Sequence, residues 1–268
     1  MLRVGLIGCG TIGTQLARAL EQRYARSVRL TALHDSDRSH AEALRRQLRR
    51  PPPIVSLPQV IRRSHLVVEA ASVSIAADVA TRALRANRQV IIMSVGGLLR
   101  NRRWRAAASR SRGRLFIPSG ALAGLDGVKA LAVGRIRAVS LTTRKPPRAL
   151  QGAPGLARRG RRLLRLAKPT VVFRGSPRAV VKAFPQNTNI AAAVTLASGL
   201  PDTVPRIRVV ADPAATRNTH ELEVVGDCGR LRCLITSRPS ANPKTSEVAV
   251  RSAIAMIGRL VDPIVIGT

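Results

Sequence analysis

Aromatic residues are almost missing from this 268-residue chain, which holds one Trp, one Tyr and three Phe, 2% in all. Its core must therefore be aliphatic, built from Val, Ile, Leu and Ala. The shortage also argues against single-strand nucleic-acid binding, which usually relies on aromatic stacking platforms. Acids are scarce too: 14 stand against 46 Lys plus Arg, for a formal net charge of +32. Lysine supplies only five of those cations and arginine the other 41, and no acid stands between Gly127 and Pro201. A field of this sign draws in anions without base specificity, whether nucleic acid, a dianionic substrate or a dinucleotide. The arginines are scattered over several predicted elements. That pattern reads first as compositional bias and second as a polyanion-binding surface.

Cysteine is limited to Cys9, Cys228 and Cys233. The last two are separated by four residues, and no further Cys or His pair lies nearby at zinc spacing. No metal site is expected, and a reducing, cytoplasmic setting is. No apolar stretch approaches the roughly 18 residues that cross a bilayer. The opening MLRVGLIGCG joins one basic residue to an apolar run. That run is short and leads into a glycine turn rather than a small-residue cleavage site, so no leader is expected.

What is present is a regular alternation of strand and helix. Apolar residues make up 45% of the chain, enough for one large domain or two smaller ones. Strands are predicted at 2–7, 28–33, 66–69, 89–93 and 115–117. Helices are predicted from Ile12 to about Gln22 and at 41–49, 73–86 and 98–109, with 51–53, all proline, stopping the second. This spacing argues for α/β organisation with a doubly wound, mostly parallel sheet. Beyond Pro118 the texture changes. Strands at 138–143, 170–173, 206–211, 221–225 and 231–236 have fewer helices between them: 161–167, 189–198 and 245–261. That is the look of an α+β domain with a mostly antiparallel sheet. The expected division is 1–118 for the first domain and 119–240 for the second, with 241–268 returning to the first.

The first strand runs into Gly8-Cys9-Gly10-Thr11-Ile12-Gly13. Gly8 permits the turn off the strand, Gly10 lets the backbone approach a pyrophosphate, and Gly13 lets the helix pack on the strand. Thr11 and Ile12 open that helix, whose N–H groups and positive dipole end suit a phosphate. Asp35 follows Gly13 by 22 residues and can accept the ribose hydroxyls, which favours NAD. Arg38 lies close enough to pair with a 2′-phosphate, so NADP is the second reading.

Further segments form a set with that loop: Val67-Val68-Glu69-Ala70-Ala71, Ser94-Val95-Gly96-Gly97, Pro118-Ser119-Gly120-Ala121, Thr143-Arg144-Lys145-Pro146-Pro147, Phe184-Pro185-Gln186-Asn187-Thr188-Asn189, Asn218-Thr219-His220-Glu221 and Asn242-Pro243-Lys244-Thr245-Ser246. In order and spacing, nearly end to end, the chain resembles the L-aspartate dehydrogenase family. The resemblance implies a Rossmann domain and an α+β catalytic domain. It also implies oxidative deamination of L-aspartate to iminosuccinate, which hydrolyses to oxaloacetate and ammonia and can feed NAD biosynthesis. A homodimer is implied as well. His220 matches the family's catalytic histidine, and Ala121 and Asn189 match positions at the nicotinamide end of the cofactor.

The chemistry asks for such a histidine. Hydride leaves Cα only from a free amine, and water must then be activated against the imine, so a base of near-neutral pKa is wanted. Of four histidines, His34, His40 and His65 fall in the first domain. His220 alone falls in the second, just before a predicted strand. The substrate's two carboxylates need cations or N–H groups. Arg144, Lys145 and the Lys244-Thr245-Ser246 turn are the candidates. Glu69 reads as structural or as lining the crevice, and Cys9 as a small packed residue. Two other readings stand beside this one. The first is a related two-domain amino-acid or semialdehyde dehydrogenase. The second is a non-catalytic dinucleotide-binding protein with a polyanion-binding arginine surface.

Overall fold

Val4, Leu6 and Ile7 are buried in strand β1 (Leu2–Ile7), which is why that run reads as continuously apolar. In the computed structural model, which describes residues 1–157, 163–185, 189–238 and 246–267, β1 lies inside a five-stranded sheet, between two other strands. With it in the first unit come α1 (Thr11–Arg23), β2 (Val28–His34), α2 (Arg38–Arg46), α3 (Leu57–Arg63), β3 (Leu66–Glu69), α4 (Ala76–Arg85), β4 (Gln89–Ile92), α5 (Gly96–Arg100), α6 (Arg103–Ser109) and β5 (Leu115–Phe116). All pairs are parallel in the order β2-β1-β3-β4-β5. The strand order reverses beside β1, so the crevice beyond the C-terminal ends of β1 and β3 is where such a sheet takes a ligand.

The chain divides into Met1–Pro118 with Val250–Ile266, and a second unit built on Ser119–Ala249. The returning segment thus begins at Val250, later than the expected 241. Its helix, α10 (Glu247–Arg259), sets Val250, Ala253 and Ile257 into the aliphatic core of the first unit, beside Leu16, Leu20 and Leu44.

Several expected boundaries move for identifiable reasons. The helix expected at 98–109 is two helices. Asn101 is extended between them, and its side chain accepts the Arg103 N–H at 3.0 Å. Helix α2 spans 38–46 rather than 41–49, because the Asp37 side chain caps it by accepting from the Ser39 N–H. Helix α4 begins at Ala76, not 73. Helix α3 was not expected; it is one short segment held by a Ser56–Gln59 capping box with a proline in its first turn.

The second unit holds α7 (Leu125–Leu131), β6 (Ile136–Lys145), β7 (Thr170–Gly175), α8 (Pro177–Ala183), α9 (Asn189–Ser198), β8 (Arg206–Ala211), β9 (Asn218–Gly226) and β10 (Arg230–Ser237). Its sheet runs β10-β9-β6-β8-β7, parallel only between β6 and β8. Helices α7 and α8 are further elements the sequence reading omitted. The helix expected at 161–167 begins outside the described residues.

Alternation along the strands gives the sheet one buried face, and the pairing register sorts that face into rows. Ile207, Leu141, Leu222 and Cys233 form one row, continued by Val139, Val224 and Leu231. Val128, Val180 and Val194, one from each of α7, α8 and α9, join the same apolar cluster. Toward the other end of the strands the same face turns polar, with Thr143 and His220 in one row and Lys145, Asn218 and Ser237 beyond it.

Candidate active site

The first unit supplies a cradle at the end of β1. Gly8 adopts φ +94, and a Cβ there would lie 2.5 Å from the Ala70 carbonyl carbon. A Cβ on Gly13 would meet the Gly8 carbonyl oxygen at 2.0 Å. A Cβ on Gly10 would meet no described atom within 4 Å. Gly8 and Gly13 are therefore glycines because the protein is close, and Gly10 is one beside open space. Among the described residues no side chain caps the N-terminus of α1, so its first N–H groups stay available to a phosphate. These features fit a pyrophosphate.

Asp35 lies just past β2. Its Oδ2 accepts the Cys9 N–H at 2.7 Å and its Oδ1 accepts the Asp37 N–H at 2.9 Å. The carboxylate is thus fixed against the glycine loop with lone pairs remaining for a ribose diol. Arg38 is exposed on α2 and paired with Glu42 at 2.8 Å. Glu69 is fully buried. It accepts N–H bonds from Ala71, Ser72 and Ser94, tying together the loops after β3 and β4. Burial pushes its carboxyl pKa up, against those bonds. Its role is to brace the 70–72 segment on which Gly8 rests. The Cys9 thiol is buried, reaches the His34 carbonyl, and is pushed up to about 12, first by burial and then by Asp35. It packs as a small residue.

The polar end of the second sheet is the other candidate centre. His220 is the third residue of β9, inside the strand rather than before it, and only 2% exposed. Its Nδ1 lies 3.2 Å from Thr143 Oγ1, its register partner on β6. Burial, and then the neighbouring Lys145 charge, lower its pKa to about 3. The near-neutral value expected from the chemistry is not the one this packing gives. Lys145 is 4% exposed, and burial lowers its pKa to about 8. Ser237 is buried opposite Asn218, and the Ser246 hydroxyl donates to it at 2.8 Å.

The sequence candidates separate accordingly. Lys145 and Ser246 join His220 at the polar end. Arg144 is one residue out of phase, so it faces away and pairs with Asp212 at 2.9 Å. Lys244 and Thr245 lie outside the described residues. Ala121 is buried in the loop before α7, and Asn189 is the first residue of α9. The other three histidines are placed otherwise. His34 Nδ1 meets the Val55 carbonyl, His65 Nδ1 accepts the Arg3 N–H, and exposed His40 stands 3.9 Å from Asp35 and from Asp37. Thr143 and Ser237 were missed as site residues. Their only signal is strand register opposite the 218–220 segment.

Similarity to known proteins follows the same two-part division. A family model described as "Aspartate dehydrogenase, C-terminal" matches residues 126–260, and one described as "Homoserine dehydrogenase, NAD binding domain" matches residues 8–118. The chain is 40% identical over 274 residues to an L-aspartate dehydrogenase of Methanosarcina barkeri, with both chains covered in full. It is 39% identical over 267 residues to L-aspartate dehydrogenase 3 of Bordetella bronchiseptica, covering 100% of this chain and 98% of the other. The crystal structure of aspartate dehydrogenase from Thermotoga maritima matches with a TM-score of 0.75 at 25% identity, with both chains covered in full.

Proposed function

The chain belongs to the L-aspartate dehydrogenase family, and on that footing we propose that His220 and Lys145 carry its chemistry. The enzyme oxidises L-aspartate with NAD(P). One observation carries the assignment of residues: an imidazole and an ammonium are buried at the same polar end of the second sheet.

Aspartate arrives with its amine protonated. Lys145, neutral above about pH 8, takes that proton on Nζ and becomes the cation that pairs with a substrate carboxylate. When bound, the dinucleotide supplies the acceptor for the hydride from Cα. His220 then accepts a proton from the water that attacks the imine carbon. Thr143 Oγ1, at Nδ1, fixes the ring so that Nε2 is the working atom. The depressed pKa of His220 comes first from burial and then from the Lys145 cation. The two carboxylates of aspartate bring opposite charge, which offsets the Lys145 contribution and raises the value.

Gly8, Gly10, Thr11, Ile12 and Gly13 are the proposed phosphate cradle, with Asp35 on the ribose. Arg38, engaged with Glu42, favours NAD over NADP. By the resemblance, Ala121 and Asn189 attend the nicotinamide end. The product imine feeds NAD biosynthesis in this reading. A homodimer and a cytoplasmic location go with it, the latter supported by three free thiols. No helix of the described residues is long and apolar enough to cross a membrane. The net charge of +32 would add salt-sensitive polyanion binding.

The test is steady-state turnover with a panel of amino acids and both dinucleotides. Aspartate-dependent NADH formation at alkaline pH is expected, and its absence from well-folded protein would sink the reading. Nucleic-acid binding near stoichiometry at physiological salt, without turnover, would favour the polyanion-binding alternative.

A further inference from the structure

Asn218 is 0% exposed, and among the described residues neither its Nδ2 nor its Oδ1 has a hydrogen-bond partner. Burying an amide this way is costly, because the groups lose their bonds to water and gain none in return. Native chains rarely keep such a group without a use. Its position suggests one. Asn218 lies on the same buried face of β9 as His220, two residues away. On β10 its register partner is Ser237, whose hydroxyl is joined to Ser246. On β6 the last registered pair is Arg144 with Thr219. One step further sets Lys145 beside Asn218. The amide therefore stands in the middle of a row, with a cation on one side and two hydroxyls on the other. The aliphatic core lies behind it, beyond His220 and Thr143.

We infer that the Asn218 carboxamide is a substrate-binding group, its Nδ2 donating to a carboxylate oxygen of the dicarboxylic amino acid and its Oδ1 accepting from the amino group. An amide offers this donor–acceptor pair in one plane, and aspartate presents an amine and a carboxylate at matching separation. The contact turns the amine toward Lys145 and His220, and it gives the row a donor whose charge does not change as Lys145 takes up a proton. The inference rests on the site assignment above and names a specificity residue within it.

Two variants test it. In Asn218→Ala the KM for aspartate should rise about ten- to hundredfold, as loss of a hydrogen bond to a charged group predicts. The KM for the dinucleotide should stay within about twofold. The thermal midpoint should not fall, since two unsatisfied atoms are removed. Asn218→Asp, which sets a carboxylate against the substrate's own, should raise the KM further. A lowered midpoint with unchanged KM in both variants would make the amide structural and overturn the inference.

Thermal shift with succinate, L-malate and L-aspartate separates this from failure of the function itself. If wild-type protein turns over no aspartate, the functional reading fails. Stabilisation by succinate that Asn218→Ala abolishes would still uphold the amide as a dicarboxylate ligand. No dicarboxylate shift in the wild type, or equal shifts in both proteins, would overturn it.

Discussion

His220 and Thr143 face each other across the β6–β9 pair, Nδ1 to Oγ1 at 3.2 Å, with both side chains buried. This contact fixes the ring. His220→Ala should lower kcat by about 10²- to 10⁴-fold, the usual worth of a positioned acid–base group, while dinucleotide affinity holds. Thr143→Val keeps the shape and removes the hydroxyl, so it should lower kcat by less. Turnover unchanged in His220→Ala would remove the histidine from the mechanism.

Lys145 gives two linked pH effects. Its pKa falls from 10.5 to about 8 on folding, through burial. Between those values the unfolded chain binds the extra proton, so stability rises with pH in that window; below about 8 the cost is constant. Lys145→Met should therefore raise the melting temperature at pH 7 and gain less at pH 10. The wild-type kcat should rise through pH about 8, and this limb should vanish in the variant along with most turnover. Thermal melts and a kcat–pH profile read both. An intact limb in Lys145→Met would assign that proton elsewhere.

Gly10 and Gly13 should fail differently when each is changed to alanine. At Gly13 the new Cβ would strike the Gly8 carbonyl, so the apo protein should lose on the order of a few kcal/mol or misfold. At Gly10 the backbone is extended, φ −71 and ψ −161, and the space is open. Apo stability should hold there while the dissociation constant for NAD rises at least about tenfold, because only the pyrophosphate needs that space. Calorimetric melting and NAD titration separate the two.

On the proposed reading, Asp35 sets the preference between dinucleotides. With its carboxylate held by the Cys9 and Asp37 N–H groups, a 2′-phosphate would meet a fixed negative charge. Asp35→Ala should weaken NAD and narrow the ratio of kcat/KM for NAD over NADP by about tenfold or more. A ratio unchanged from wild type would mean that Asp35 does not read the ribose.

The first unit was largely legible because buried parallel strands read as plain apolar runs and the glycine spacing has a mechanical meaning. Helix α3 escaped because a single short segment carries little periodicity, and the break at Asn101 because its cap is one side-chain contact. In the second unit, His220 was visible from its type and its motif. Its partners were not. Arg144 and Lys145 are adjacent and equally cationic in sequence, and only strand alternation sends one outward to Asp212 and the other into the row with Asn218. The depressed pKa of His220 was beyond reach for the same reason, since it arises from packing and from a neighbour distant in sequence.

The rows on the second sheet tie chemistry to strand pairing. If β9 slipped by one residue against β6 and β10, Thr219 and Glu221 would occupy the positions of Asn218 and His220, and Leu222 and Val224 would leave the apolar rows. Specific activity therefore doubles as a gauge of pairing fidelity. A preparation that is inert and loosely packed is what a register error would yield, and refolding should restore turnover only as fast as β6 and β9, distant in sequence, find their proper alignment.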